Sequence, residues 1–364
     1  MTRFFLIATL FYFLPLSQLW AEEPIKIGAI FSLSGWASHG GAYEKNALDL
    51  ALTDVNNSGG ILGRKVEIIY EDNKSDLKQN VTAFKKLVDL DKVPVIIGPN
   101  WAEFLEVIAP LANTANVPMI SPSGYRAEIF ENNSFVFTLI PPHSVAIRSL
   151  FEEIKLKGFK KILLLVTENG YTIELSESLI SLLKEEGIKF EQLTFKDTET
   201  DFKHSILKIK QSDTDLVVNF LVESGSNYAF FKQAKELKLN LPIFGCNTIS
   251  YDTELKANPA IAEGAIFFDF IIKGGNDFIN RYKKKYHTTP VNTSSYAYDA
   301  LFLVKKSIEE CGYSGQEIND CLKKISYMGI SGPIEFDSKG VISTVKTNST
   351  LFTIKNGQIV NYLG

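Results

Sequence analysis

The stretch IKIGAIFSLSGWASHGGAYEKNALDLALTDVNNSGGILGRKVEIIYEDNKSD, Ile25 to Asp76, decides the fold. An apolar strand, Ile25 to Ile30, runs into a Ser/Gly loop and then a helical pattern with apolar residues at Tyr43, Ala47, Leu50, Ala51 and Val55. Asn57-Ser58-Gly59-Gly60 stops that helix, a Gly63-Arg64 turn follows, and a second strand, Val66 to Tyr70, ends in acidic and polar residues. Strand, helix and strand in this order form a βαβ unit. Its polar loops lie at the C-terminal ends of the strands, where open α/β sheets bind ligands.

Upstream, Met1 to Ala21 carries one basic residue (Arg3), an apolar run from Phe4 to Leu16 and a short polar stretch ending at Ala21. That layout predicts a secretory signal cleaved after Ala21, although Leu19 is less usual than Ala at its position. An uncleaved anchor is the alternative, and the run is short for a membrane span. No Cys follows the run, which argues against a lipid anchor, and the mature chain is expected in the periplasm. The full chain of 364 residues has a net charge of −4, and removing residues 1–21, with one Arg and no acid, leaves −5. Such mild acidity argues against nucleic acid or an anionic membrane surface as partner. The length suits two domains rather than one core.

Downstream the βα alternation repeats. Short strands at Val95 to Ile97 and Pro118 to Ile120 flank a helix from Leu105 to Ala115, and an extended stretch, Phe135 to Leu139, stops at Pro141-Pro142. That stiff breaker suits a domain crossover. A second series follows, with strands at Lys161 to Val166, Lys189 to Phe195, Leu216 to Leu221 and Pro242 to Gly245. Helical patterns near His143 to Leu156, Ile173 to Glu186, Phe202 to Lys210 and Tyr228 to Leu237 separate them. After Ala265 to Phe270 come helices at Asp277 to Tyr286, Ser295 to Glu310 and Gln316 to Ile325, and a hairpin around Asn356-Gly357 closes the chain. Each half therefore reads as a parallel α/β sheet.

Enzyme chemistry finds little support. Gly35-Trp36-Ala37-Ser38-His39-Gly40-Gly41 is glycine-rich but is neither G-x-G-x-x-G nor a P-loop. No Gly-x-Ser-x-Gly elbow occurs. His39, His143, His204 and His287 are isolated, without metal-ligand spacing. His39, in the first loop, is read as a solvated loop histidine that is also placed to bond a ligand. Asp72 and Asp76 follow the second strand and are read as caps for the next helix, Asp299 as the anchor of a loop, and Lys283-Lys284-Lys285 as a solvated helix face. No catalytic residue, metal or cofactor is expected.

The order of elements, and many residues, resemble the periplasmic binding proteins that serve branched-chain amino-acid ABC transporters. The resemblance spans nearly all of the mature chain. It rests on Asn56 to Asp76, VIIGP (Val95 to Pro99), MISPSG (Met119 to Gly124), SYAYDA (Ser295 to Ala300) and GPIEFDSKG (Gly332 to Gly340), each short but together in the family's order and spacing. It implies two Rossmann-like lobes joined by three crossover strands, the type 1 fold, with a ligand trapped between them by hinge closure. Carried over, lobe one holds residues 25–139 and 272–331, and lobe two holds 140–271 and 332–364, with crossovers near Ile140, Ile271 and Gly332. The implied role is an exported receptor that delivers a small molecule to a membrane permease and acts as a monomer. A sensor of the same fold, signalling to a membrane partner, is the alternative.

The resemblance is most informative where it fails. Members that bind α-amino acids place a hydroxyl four residues beyond the Gly of VIIGP, and here that position is Ala102. A second family hydroxyl, three residues after the Pro of the ISP segment, falls on Tyr125, and the acid that meets the amino group falls on Asn247. Tyr171 matches the family's aromatic lid, and Glu223 lies at another family contact. Without a paired anion and cation site a zwitterion leaves a buried charge uncompensated, at a cost of several kcal/mol. Glu223 is a replacement partner for an amine, and Ser121 or Ser123 for the lost hydroxyls. Trp36, Trp101, Tyr125 and Tyr171 offer an aromatic lining for a flat or apolar ligand, or pack between lobes. The ligand expected is an amino acid or a related amide or aromatic compound. Cys311 and Cys321 are placed to close a small loop in an oxidising compartment, a pairing that spacing leaves open, and Cys246 is then the odd one, buried and inert.

Overall fold

The computed structural model describes residues 23–196, 198–222, 225–270, 275–343 and 349–362. The signal-like segment, the expected crossover near Ile271 and Glu223 lie outside the described residues.

The first sheet is built from β1 (Ile25–Phe31), β2 (Val66–Asp72), β3 (Ile96–Ile97), β4 (Met119–Ser121) and β5 (Val136–Thr138). All pairs are parallel, in the spatial order β2-β1-β3-β4-β5. The connecting helices are α1 (Ser38–Asn57), α2 (Leu77–Lys85), α3 (Ala102–Ala115) and α4 (Ala127–Glu131). The β1–β2 register runs from Ile25 opposite Val66 to Phe31 opposite Asp72, so both strands release their polar loops at one level. Gly98 ends β3 at a φ of +106°, and a Cβ there would stand 2.1 Å from the Ile30 carbonyl oxygen. Only glycine lets this exit approach β1 so closely.

The second sheet takes β6 (Lys161–Thr167), β7 (Lys189–Phe195), β8 (Leu216–Phe220), β9 (Ile243–Gly245) and β10 (Ile266–Phe270). Read from its β7 edge the order is β7-β6-β8-β9-β10, the arrangement of the first sheet repeated. Its helices are α5 (His143–Lys157), α6 (Gly170–Glu185), α7 (Lys203–Gln211), α8 (Ser226–Glu236), α9 (Thr248–Tyr251) and α10 (Thr253–Ala257). Central β6 and β8 are almost wholly apolar and covered on both faces, as parallel strands require, whereas edge strand β7 alternates toward solvent.

The chain then returns to the first sheet through α11 (Asn276–Tyr286), α12 (Asn292–Cys311) and α13 (Gly315–Leu322). Tyr296, Ala297, Ala300, Leu301, Val304 and Ile308 of α12 share one core with Tyr43, Ala47, Leu48, Ala51 and Val55 of α1. Arg281 grips Asp54 with two bonds of 2.7 Å, and the Tyr298 hydroxyl adds a third at 2.6 Å. Burial alone would raise the Asp54 carboxyl, but these partners hold it below its usual range. Asp299 anchors a loop, accepting from the backbone N–H groups of Ile330 and Ser331 at 2.9 Å.

Two further strands, β11 (Tyr327–Gly329) and β12 (Gly332–Ile334), pair antiparallel, and the hairpin of β13 (Ser349–Lys355) and β14 (Gln358–Asn361) extends the second sheet beside β10. Asn356 and Gly357 turn it with φ of +54° and +68°. The last passage between sheets falls later than the expected Gly332. Val341 bridges to Thr138 of β5, and Ile334, Phe336, Val341 and Ile342 are buried with the first sheet's residues. Their apolar surface keeps residues 332–343 with the first sheet. Several helices also start earlier than their apolar spacing indicates: α3 at Ala102 and α12 at Asn292. Cys311 and Cys321 are joined, with Cα atoms 6.1 Å apart, and burial pushes the free Cys246 thiol up to about 11.

Candidate functional site

In a sheet of this order the loops after the first and third strands diverge, leaving a crevice at the switch point. The molecule has two such points facing each other. The first lies between β1 and β3, whose exits carry Trp36 and Trp101; the second lies between β6 and β8, whose exits carry Tyr171 and Val222. Residues from both bodies line a cavity of about 350 Å³ between them.

The first body's wall is aromatic. Trp101 adopts a φ of +68°, an unusual backbone for a side chain of this size. Its ring meets Trp36 edge-on with centroids 5.3 Å apart, and Trp36 also packs on Phe104. Asn100 braces the floor below: its Oδ1 accepts from the Ser32 N–H at 2.8 Å and ties the β1 exit to the β3 exit. Asp72 holds the same loop by accepting from the N–H groups of Leu33 and Lys74 at 2.8 Å. It therefore does not cap α2, which is Asp76's role through the Gln79 N–H.

The second wall begins with Tyr171, in the first turn of α6, whose hydroxyl donates to Asn247 Oδ1. Its ring lies 4.7 Å from His143, and His143 lies 5.7 Å from Tyr125 of the first body, so a line of rings crosses between bodies. His143 Nδ1 is 2.9 Å from Glu174 Oε2. Thr248 Oγ1 donates to the Leu221 carbonyl, and Asp252 accepts from the Gly225 and Leu255 N–H groups, capping α10.

Of the residues singled out from sequence, Trp36, Trp101, Ala102, Ser123, Tyr125, Tyr171 and Asn247 meet on this cavity. Ser121 does not. It is buried, donating to the Pro99 carbonyl and accepting from the Gly124 N–H, both at 2.7 Å, and so spends its hydroxyl bracing two loops. Glu223 lies outside the described residues. His39 lines the cavity and remains exposed, as its sequence reading expects; partial burial, then the charge of Lys256, lowers its pKa.

The largest omission is Glu44, on the second turn of α1. It lines the cavity at 1% exposure, and its Oε2 has no hydrogen-bond partner. Burial pushes its carboxyl up to about 8, against the pull of the nearby Ser123 and Thr293 hydroxyls. One signal was present in the sequence: Glu44 precedes Ala47, Leu48 and Ala51 on the buried stripe of α1, an acid where an apolar residue is due.

A family model for periplasmic binding proteins matches residues 24–358. The chain belongs to this family. It is 24% identical to the leucine-, isoleucine-, valine-, threonine- and alanine-binding protein of Pseudomonas aeruginosa, an alignment covering 88% of this chain and 87% of that one. It is similar to Leu/Ile/Val-binding protein BraC3 of Rhizobium johnstonii, at 26% identity over 74% of this chain and 73% of the other. Among solved structures it resembles the branched-chain amino acid transporter substrate-binding protein LivJ of Streptococcus pneumoniae (TM-score 0.79, 24% identity, 93% of this chain and 98% of that one). A solute-binding protein of an ABC transporter from Rhodopseudomonas palustris is equally near in fold (TM-score 0.81, 21% identity, 93% and 95% covered). The fold is that of the type 1 periplasmic binding proteins, whose relatives here are solute-binding proteins rather than enzymes. In this periplasmic binding protein the cavity lies between the two sheets, at their paired switch points.

Proposed function

We propose that this chain is the exported substrate-binding receptor of an ABC transporter. It captures an amino acid or a related amide or aromatic compound between two lobes that close around it. The observation carrying this reading is the aromatic cavity shared by the two facing switch points. Lobe one comprises residues 25–139 together with the returning helices and the strand stretch up to 343, and lobe two the middle of the chain with the C-terminal hairpin. A ligand that touches both walls favours the closed form by its higher affinity for closed over open, and the permease responds to closure. The protein acts as a monomer, delivered to the periplasm by residues 1–21.

The neighbours support both ligand types: the Streptococcus pneumoniae LivJ is in complex with isoleucine, and the Rhodopseudomonas palustris protein with 3,4-dihydroxybenzoic acid. Tyr171, Trp36 and Trp101 fit the aromatic class, and Ala102 and Asn247 lack the groups expected of the α-amino-acid clamp. The test is a melting-temperature screen of the mature protein against amino acids, aromatic carboxylates, amides and polyamines, because any ligand specific to the folded state raises the midpoint. A hit whose cellular uptake is lost when the gene is deleted supports the transport role. A hit whose uptake is unaffected assigns the protein to sensing.

A further inference from the structure

Three acids line the cavity, Glu44, Glu103 and Asp252, and no Lys or Arg does among the described residues. They are not equivalent. Asp252 is committed to backbone N–H groups at the start of α10. Glu103 is only partly buried and lies against Gly170 with the Arg126 guanidinium beside it, so although its Oε2 is also unbonded it has a cation near. Of the three, Glu44 is the one fully enclosed; its Oε2 makes no close hydrogen bond, and the groups that bear on its carboxyl are the neutral Ser123 and Thr293 hydroxyls, not a cation. A buried carboxylate without a counter-ion is costly, so this position is unstable as a charge unless something in the cavity completes it.

We propose that Glu44 is the counter-ion for a protonated amine on the ligand, read from lobe one rather than from the lobe-two position occupied by Asn247. The assignment rests on the receptor reading above and narrows its ligand class to amine-bearing molecules with an aromatic or aliphatic body. The body lies among Trp36, Trp101, Tyr125 and Tyr171, and the ammonium group points to the Glu44 carboxylate. Ser123 accepts a second ammonium hydrogen. This arrangement supplies the positive charge that the cavity lining does not bring to Glu44, and it explains how Asn247 can be neutral in a cavity still able to hold a cation.

The experiment is calorimetric titration of two matched sets: phenylalanine, phenethylamine and 3-phenylpropanoate, then leucine, isopentylamine and 4-methylpentanoate. Each is run on wild type, Glu44→Gln and Glu44→Asp, with a thermal melt of every variant to establish folding. In wild type the amine-bearing members of at least one set should bind. Glu44→Gln should weaken them at least tenfold while leaving the deaminated acid within about twofold, and Glu44→Asp should recover part of the loss. Binding confined to the deaminated acids, or equal losses for acids and amines, overturns the assignment and leaves the receptor reading intact. Binding of none of the six overturns the assignment and removes this ligand class from the proposed function as well.

Discussion

The two sheets share one strand order, yet the loops that leave them are equipped differently. In the first body, α1 and α3 begin at Ala37 and Trp101 with no side chain capping them, and the space beside them is filled by two tryptophans. In the second, α6 after β6 is capped by Asn169 through the Thr172 N–H, while α8 after β8 has no side-chain cap. The second body contributes Tyr171, held through its hydroxyl by Asn247. The topology repeats because a βα sheet of this order is one stable solution to burying apolar strands. The chemistry does not repeat, because strand-end loops are free of that constraint. On the receptor reading proposed above, the first body binds and the second covers.

The largest effect that tests this division is on stability and belongs to Glu44. Its folded pKa, about 8, is raised above the ordinary 4.5 by burial. The sign follows: the stability associated with the protonated form is complete below the unfolded pKa and is lost as pH rises through the folded one. Each pH unit in that window costs up to ~1.4 kcal/mol, a few kcal/mol in all. The Ser123 and Thr293 hydroxyls bear on it directly, and the titratable groups sharing the cavity are His39 and Tyr43 on its own helix and Glu103, Tyr125, His143, Tyr171 and Asp252 around it. Urea unfolding without ligand should show wild type less stable at pH 8 than at pH 5, and Glu44→Gln should largely flatten the difference. Identical slopes in the two proteins would falsify the buried-acid account.

Next in size is the cover. Tyr171→Ala removes a ring from the cavity and the donor to Asn247, and should weaken the bound ligand at least tenfold, about 1.4 kcal/mol. The measurement is a titration with whichever ligand the melting screen returns. Unchanged affinity makes Tyr171 a packing residue and leaves binding to the first body alone. Smaller again is the cap: Asn169→Ala should cost about 1 kcal/mol of stability by freeing the Thr172 N–H, measured by denaturant unfolding. A cost near zero would erase the contrast between capped and uncapped helices.

Most of the scaffold is legible in the sequence, and the reasons are local. An apolar run such as Ile162 to Val166 has no stable place except a covered parallel strand, and Asn356-Gly357 supplies the two positive φ values of a tight hairpin. What escapes is set by contacts distant along the chain. Gly332 to Gly340 reads as a strand and a turn whichever body it joins, and its allegiance is decided by Thr138 and the first-sheet core nearly 200 residues earlier. Ser121 has the right hydroxyl in the right segment, but Pro99, 22 residues away, consumes it. Asp72 and Asp76 are alike by position, and only the path of the first loop gives Asp72 to Leu33 and Lys74. Glu44 sits inside a helix, away from the strand-end loops where a ligand residue is first sought.

The smallest stability effect carries the sharpest question about the first wall. Trp36 is 58% exposed, and its ring packs on Trp101 and Phe104 of the first body. A side chain so open contributes little to folding, so Trp36→Ala should change unfolding free energy by no more than about 0.5 kcal/mol. A ring waiting for a ligand behaves differently, because an aromatic pair is worth about 0.5–1.5 kcal/mol beyond area burial once a second ring covers it. Affinity for phenylalanine or an aromatic acid should then fall about threefold to tenfold in the variant, and affinity for leucine by less. Equal losses for aromatic and aliphatic ligands would mean that Trp36 acts only by shaping Trp101. A loss of stability without a loss of affinity would return both tryptophans to the packing of lobe one and leave Tyr171 as the ring that chooses the ligand.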